Sequence, residues 1–140
     1  MYSASHAALL FTVLLLATTI YFFLGGLPLL ILQHDVPLDA RFVRSFFRLY
    51  YRLAFLTSTG TTVSHALAGQ ALLAAGAAGI VGVTFFVRGL WVPAMQRYGD
   101  GIQHRDPDAI RAFRRVHATV LGIILVEVGA IVASLSLLPF

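Results

Sequence analysis

The sequence predicts an all-α integral membrane protein, a bundle of four transmembrane helices built as two helix hairpins. Three observations predict this fold class. Four apolar segments each approach the roughly 20 residues that a helix needs to cross the hydrocarbon layer. Hydrophobic residues make up 59% of the chain and charged residues only 11%, whereas soluble proteins carry about a quarter charged residues. All ten basic residues are arginines, and they lie in two stretches between apolar segments.

The predicted helices fill most of the 140 residues, so we expect one domain, residues 1–140. They span Ala7–Leu32, Phe46–Leu67, Ala71–Val92 and Phe113–Leu138. The first segment lacks a basic leading region and a small-residue cleavage motif, which favours a membrane helix over a cleavable signal peptide. Pro28 and Pro93 lie near the ends of helices one and three, where proline can bend a helix. Asp39 and Asp106 precede helix-like segments and are typical of helix starts.

The arginines predict the orientation in the membrane. The two stretches hold Arg41, Arg44, Arg48 and Arg52, and then Arg88, Arg97, Arg105, Arg111, Arg114 and Arg115. The positive-inside rule places both stretches in the cytoplasm, and both termini and residues 66–70 on the other side. Five arginines are expected to contact lipid headgroups or a docked protein: Arg48, Arg52, Arg111, Arg114 and Arg115. Lipid phosphates therefore explain the net charge of +4 better than nucleic acid does.

A short internal similarity indicates two repeats. Phe23–Pro28, FLGGLP, is similar to Phe86–Pro93, FVRGLWVP, and each copy precedes an acidic and then basic stretch. Because each unit would hold two helices, the repeats would be parallel, related by an axis near the membrane normal. Abundant Ala, Gly and Arg without Lys indicates a GC-rich bacterial genome, and hence the bacterial inner membrane.

Small and hydroxyl-bearing residues predict a seam between helices two and three. Helix two carries Thr57, Thr61 and Thr62, and helix three carries Gly76 and Gly79. Small residues let membrane helices approach closely, and hydroxyl groups form hydrogen bonds across such contacts. We expect these five residues to serve packing rather than an ion path.

Glu127 is the one glutamate of the chain and lies near the middle of helix four. An ionisable group at that depth costs roughly 2.5 kcal/mol or more unless it is neutral, paired or hydrated. We expect it at the depth of Thr57 to Thr62, close enough for a hydrogen bond. A proton carrier or cofactor partner and a neutral packing or subunit contact both stay open.

The histidines are the candidate metal or haem ligands. The sequence has no cysteine, which excludes disulfides and thiolate metal sites. His6 and His65 are predicted near the outer face, where they could bind copper or haem iron if helices one and two adjoin. His117, beside the arginines of helix four, is the third candidate. Headgroup contacts are the alternative for all three.

The chain resembles the copper-resistance-protein-D-like superfamily of small bacterial membrane proteins. The resemblance rests on Gly25–Pro28 at the end of helix one, the Arg41–Tyr50 stretch, the small-residue helix three, and the stretch from Arg111 to Glu127. For a CopD-type protein it implies copper, with His6 and His65 as the outer ligands. For the HemJ-type porphyrinogen oxidases of the same superfamily it implies haem b, with His6 on helix one.

Three functions follow as hypotheses. The first, which we favour, is a non-catalytic accessory or structural subunit that associates with a larger membrane complex or a second copy. The second is a haem- or copper-binding protein with a redox or metal-handling role. The third is a small dimeric transporter that uses Glu127 and the hydroxyl groups of helix two. No residue pattern names a catalytic group, so the sequence leans against an enzyme.

Overall fold

The computed structural model describes residues 2–138, with side chains from residue 3, and confirms an all-α fold of four helices. The helices are α1 (Tyr2–Leu29), α2 (Pro37–Leu67), α3 (Ala71–Gln103) and α4 (Pro107–Leu135). Helix α1 packs against α2 and α4, and α3 packs against the same two helices. The bundle therefore has the cyclic order α1, α2, α3, α4, as short connections between antiparallel neighbours favour.

The connections divide the bundle into two ends. The start of α1, the connection 68–70 and the end of α4 form what we call the terminal end. The connections 30–36 and 104–106 lie at the opposite end, which we call the arginine end. Each connection holds one residue with a left-handed backbone: His34 (φ 57°), Gly69 (φ 73°) and Arg105 (φ 55°). After α2 and α3 this residue closes the helix, because a following N–H reaches back to a carbonyl of the last turn.

The helices extend much further into the arginine stretches than predicted. Helix α2 begins at Pro37 rather than Phe46, and α3 ends at Gln103 rather than Val92. Both extensions are amphipathic: Val43 in α2 and Ile102 in α3 are fully buried, while Arg41 and Arg97 are exposed. Continuous apolar runs mark the part of each helix that is apolar on all sides. They do not mark a continuation that is apolar on one face only.

Asp106 caps α4 as predicted. Its side chain accepts a hydrogen bond from the backbone N–H of Asp108 at 3.0 Å, and Pro107 occupies the first turn. The start of α2 differs, because Val36 occupies the capping position without a side-chain hydrogen bond and Asp39 lies in the first turn. There it complements the positive end of the helix dipole.

The core is densest at the arginine end. Phe47, Met95, Ile102 and Phe113 are almost completely buried there. Close contact between α3 and α4 begins at their connection, where a Cβ atom on Gly101 would lie 2.6 Å from the Cβ atom of Ala109. A glycine is therefore required at this turn. Towards the terminal end the two helices separate, which opens the groove described below.

Three of the four helices are long and apolar enough to cross a membrane. They are Ser3–Leu29, Ala71–Gln103 and Pro107–Leu135, with mean hydropathies of 2.3, 1.8 and 2.3. Helix α2 is not among them: four arginines lie in its first half, and six serine and threonine residues lower the hydropathy of its second half. Large apolar side chains are exposed on all four helices, including Leu24, Leu56, Phe86 and Val126. Apolar side chains are therefore distributed around the whole outer surface of the bundle.

Candidate functional site

Polar side chains are buried at three levels of the bundle. Thr12 and His65 lie at the terminal end, Tyr50 and Glu127 at the central level, and His34 and His117 at the arginine end. The first two pairs each join two different helices, and the third joins the first connection to α4. Because an unpaired buried polar group costs about 1–3 kcal/mol, these pairs also define how the helices align along their axes.

Glu127 binds across the bundle to a tyrosine. The hydroxyl group of Tyr50 on α2 donates to Glu127 Oε2 on α4 at 2.6 Å. Glu127 is only 7% exposed and Tyr50 only 2%. Tyr50 is the one hydrogen-bond donor to this carboxyl group within residues 2–138. The second carboxyl oxygen has no donor there.

The prediction that Glu127 forms a hydrogen bond with the hydroxyl groups of Thr57 to Thr62 is wrong. Thr57, Thr61 and Thr62 each donate to the backbone carbonyl four residues earlier in α2, at 2.8 Å. Ser58 does the same towards Ala54. Such back-bonding is the usual alternative for hydroxyl side chains within a helix. It uses the hydroxyl proton, so these groups donate no hydrogen bond to a neighbouring helix.

Tyrosine and tryptophan are common at membrane surfaces, and the positions of Tyr50, Tyr51, Trp91 and Tyr98 beside the arginine stretches predict such an aromatic belt. Instead Tyr50 and Tyr51 are buried in the core. A usable signal was present in the sequence. Residues 43, 47, 50 and 54 recur with the period of one helix face, and all four are buried. The apolar-run prediction, which started α2 at Phe46, left out the first of these four positions.

A groove between α3 and α4 reaches the Glu127 side chain. Its volume is about 630 Å³, within the common range of small-molecule sites. Its lining is apolar apart from Glu127 and Thr119, and the Thr119 hydroxyl donates back to the Arg115 carbonyl. Ile80 and Val83 form its α3 wall, and Ile123 belongs to its α4 wall.

Gly76 and Gly79 line this groove rather than a tight seam with α2. No described atom lies within 4 Å of a Cβ atom built on either glycine, and the same is true of Gly122 on α4. The predicted close packing at Gly76 and Gly79 is therefore absent within the described chain. These glycines create open space beside Glu127.

His65 and Thr12 join α2 to α1 at the terminal end. His65 Nε2 lies 2.9 Å from Thr12 Oγ1, and His65 Nδ1 lies 2.5 Å from Gln70 Oε1. Both ring nitrogens of His65 are thus engaged in hydrogen bonds. His65 also lines a separate cavity of about 290 Å³ that opens towards α3 and α4. His6 is exposed near the start of α1.

His117 contacts a residue that sequence reasoning did not select. His117 Nδ1 on α4 lies 3.2 Å from Nε2 of His34 in the first connection, and both side chains are fully buried. The rings of Phe47 and Phe113 pack around this histidine pair. One imidazole must donate and the other accept. Neither remaining nitrogen has a hydrogen-bond partner among residues 2–138.

The pair does not extend to a metal site in the described chain. Residues 2–138 contain no group of three or more histidine, aspartate or glutamate side chains placed to hold a metal ion. Sequence distance explains why the pair was missed, since 83 residues separate its members. His34 and His117 meet because the fold packs the first connection against α4.

Electrostatics around the pair favour a neutral His34. Burial lowers the pKa of His34 below its ordinary value of 6.5, and the positive charge of Arg114 lowers it further. The backbone of Leu32 and the carboxylates of Asp39 and Asp35 oppose this shift without cancelling it. A proton on His34 is therefore disfavoured at neutral pH.

The five arginines expected to dock all face outward. Arg48 and Arg52 are exposed on α2, and Arg111, Arg114 and Arg115 on α4. Arg111 forms an ion pair with Asp108 one turn earlier. An exposed ion pair of this kind stabilises the fold little. The five arginines therefore lie on the surface and contribute little to the core.

Comparisons with protein families, curated proteins and solved structures found no match to this chain. The resemblance to the copper-resistance-protein-D-like superfamily therefore stays a prediction. The three buried pairs, the groove and the surface are the features of the chain that bear on its function.

The His34 pKa predicts acid sensitivity. Above pH 6.5 the folded and unfolded states both hold a neutral His34, so its contribution to stability is complete. As pH falls through 6.5 the unfolded state binds a proton that the folded state resists, and the free energy of unfolding decreases by at most about 1.4 kcal/mol per pH unit. Replacing His34 with Gln should reduce that slope. Denaturant titrations in micelles at several pH values measure it, and an unchanged slope would contradict the assignment.

Proposed function

We propose that this protein is a multi-pass protein of a bacterial inner membrane, with its arginine end in the cytoplasm. Three helices of sufficient length and hydropathy support membrane insertion, together with the exposed apolar side chains around the bundle. The orientation follows the positive-inside rule. All six arginines of the second stretch, and those of α2, lie in the half of the bundle next to the arginine end.

We further propose that the protein is a non-catalytic accessory subunit that binds a transmembrane helix of another protein along α3. The observation that carries this proposal is an outward ridge of small residues on α3. The ridge consists of Ala71, Ala75, Ala78 and Gly82, which recur at helical spacing and are all exposed. We call it the α3 ridge.

The ridge suits a helix partner because Ala71 and Ala75, and then Ala78 and Gly82, form two small-xxx-small pairs. In lipid such pairs allow two helix backbones to come close, and close packing is the main force between membrane helices. No described atom lies within 4 Å of a Cβ atom built on Gly82. The arginines, which lie towards the other end of the bundle, would contact headgroups or the partner's polar ends.

The haem or copper hypothesis has less support in the geometry. Both ring nitrogens of His65 are occupied by Thr12 and Gln70. A metal ion there would have to displace one of these hydrogen bonds. A transporter would need a path through the bundle, and Phe47 and Phe113 close the core at the arginine end.

Orientation can be measured with single cysteines, because the chain has none of its own. Ala66→Cys at the terminal end should react with a membrane-impermeant thiol reagent in cells whose inner membrane is intact. Gln103→Cys at the arginine end should react only after the membrane is permeabilised. Labelling of Gln103→Cys in intact cells would contradict the proposed orientation.

The accessory function predicts a complex in the native membrane. Extracted with its surrounding lipid, the protein should run as a particle heavier than its 15.2 kDa monomer plus lipid, with a defined partner stoichiometry by native mass spectrometry. Gly82→Leu should release the monomer, because a leucine on the α3 ridge blocks close helix contact. Gly129→Leu, on α4 with equal open space, should leave the particle intact. A reproducible monomer in the unmodified protein would overturn the proposal.

A further inference from the structure

The α3–α4 groove combines an open apolar lining with one buried carboxyl group. Glu127 belongs to the lining, together with Gly76, Gly79 and Gly122. From this arrangement we propose that the groove binds a lipophilic organic cation, such as a quaternary ammonium or phosphonium ion, with its charge beside Glu127. The inference is separate from helix docking on the α3 ridge.

The Glu127 carboxyl group favours a bound cation. It is nine-tenths buried, and Tyr50 satisfies one oxygen from the α2 side. The other oxygen has no donor among residues 2–138. A carboxylate in apolar surroundings is costly unless an opposite charge or further donors compensate it. A bound cation supplies that charge.

The lining defines the chemistry of the cation. A hard metal cation needs about six to eight oxygen ligands, and the groove offers the Glu127 carboxyl group and the Thr119 hydroxyl. A small hydrated cation would therefore lose its water shell without replacement. An organic cation keeps its charge inside a shell of carbon atoms, and those atoms remove the apolar walls from water or lipid contact. A neutral lipophile would gain nothing from Glu127.

The glycines of the groove leave room for such a cation. Any side chain at Gly76, Gly79 or Gly122 would project where the structure has no atom within 4 Å. All three glycines line the groove, so its volume of about 630 Å³ depends on their lacking side chains. The α3 ridge lies on a different side of the helix, roughly a quarter turn away by the 100° step of an α-helix. Ligand binding therefore does not require a docked partner.

The test is equilibrium binding of tetraphenylphosphonium to purified monomer in lipid nanodiscs, with empty nanodiscs subtracted. We expect saturable binding of one cation per chain. Glu127→Gln should weaken it about tenfold or more, the loss expected when a charge-assisted contact becomes neutral. Gly79→Leu should weaken it similarly by filling the groove while the carboxyl group stays. Gly89→Leu, on α3 but outside the groove, should bind like the unmodified protein.

Two results would overturn the proposal. One is the absence of saturable binding to the unmodified protein above empty nanodiscs. The other is equal binding by Gly79→Leu and the unmodified protein. Because Gly79→Leu keeps Glu127, this comparison tests the proposal even if Glu127→Gln fails to fold. Neither result bears on the accessory function, because that proposal rests on Gly82 and on particle mass.

Discussion

The hydrogen bond between Tyr50 and Glu127 is the constraint on which the arrangement of this bundle depends. It joins α2 to α4, two helices that share no direct connection in the chain. A carboxyl group placed among apolar side chains is tolerated only with partners, and leaving it unpartnered costs more than an ordinary hydrogen bond contributes. The bond therefore aligns α2 and α4 along their axes as well as holding them together.

The same bond divides the surroundings of Glu127 into two sides. Tyr50 approaches from the interior, next to the aromatic core formed with Phe22 and Phe46. The opposite side meets the groove, where α3 contributes Gly76 and Gly79 beside Ile80 and Val83. A fully packed bundle would have closed that side. Loose packing of α3 on α4 thus leaves a carboxyl group within reach of a ligand, and the outward α3 ridge stays available to another helix.

The histidine pairs at the two ends differ in how many of their ring nitrogens have hydrogen-bond partners. His65 and Thr12 satisfy each other and Gln70, as structural hydrogen bonds do. His34 and His117 each retain a buried nitrogen without a partner in the described chain. That second pair makes the arginine end sensitive to protons, because charging either ring would place a cation among phenylalanine rings near Arg114.

Composition and apolar periodicity predicted the all-α fold, the number of helices and their order, because helix-length apolar runs are a local property. The apolar-run bounds missed the extension of α2 from Pro37, although Asp39 indicated a helix start there, since arginines interrupt the apolar residues of this segment. Glu127 was recognised as unusual from its depth alone. Its partner was not, because the choice between Tyr50 and the threonines depends on side-chain direction and on threonine back-bonding. The pairing of His34 with His117 needed the turn geometry of the first connection, which no local pattern encodes.

A double-mutant cycle between Tyr50 and Glu127 tests the central claim most directly. The free energy of unfolding would be measured in mixed micelles for Tyr50→Phe, Glu127→Gln and the double variant, with Tyr21→Phe, an exposed tyrosine on α1, as the matched control. We predict that the two effects are not additive and differ from their sum by about 1 kcal/mol or more, as for residues in direct contact. Tyr21→Phe should combine additively with Glu127→Gln. Additive effects at Tyr50 and Glu127, within about 0.3 kcal/mol, would contradict the account.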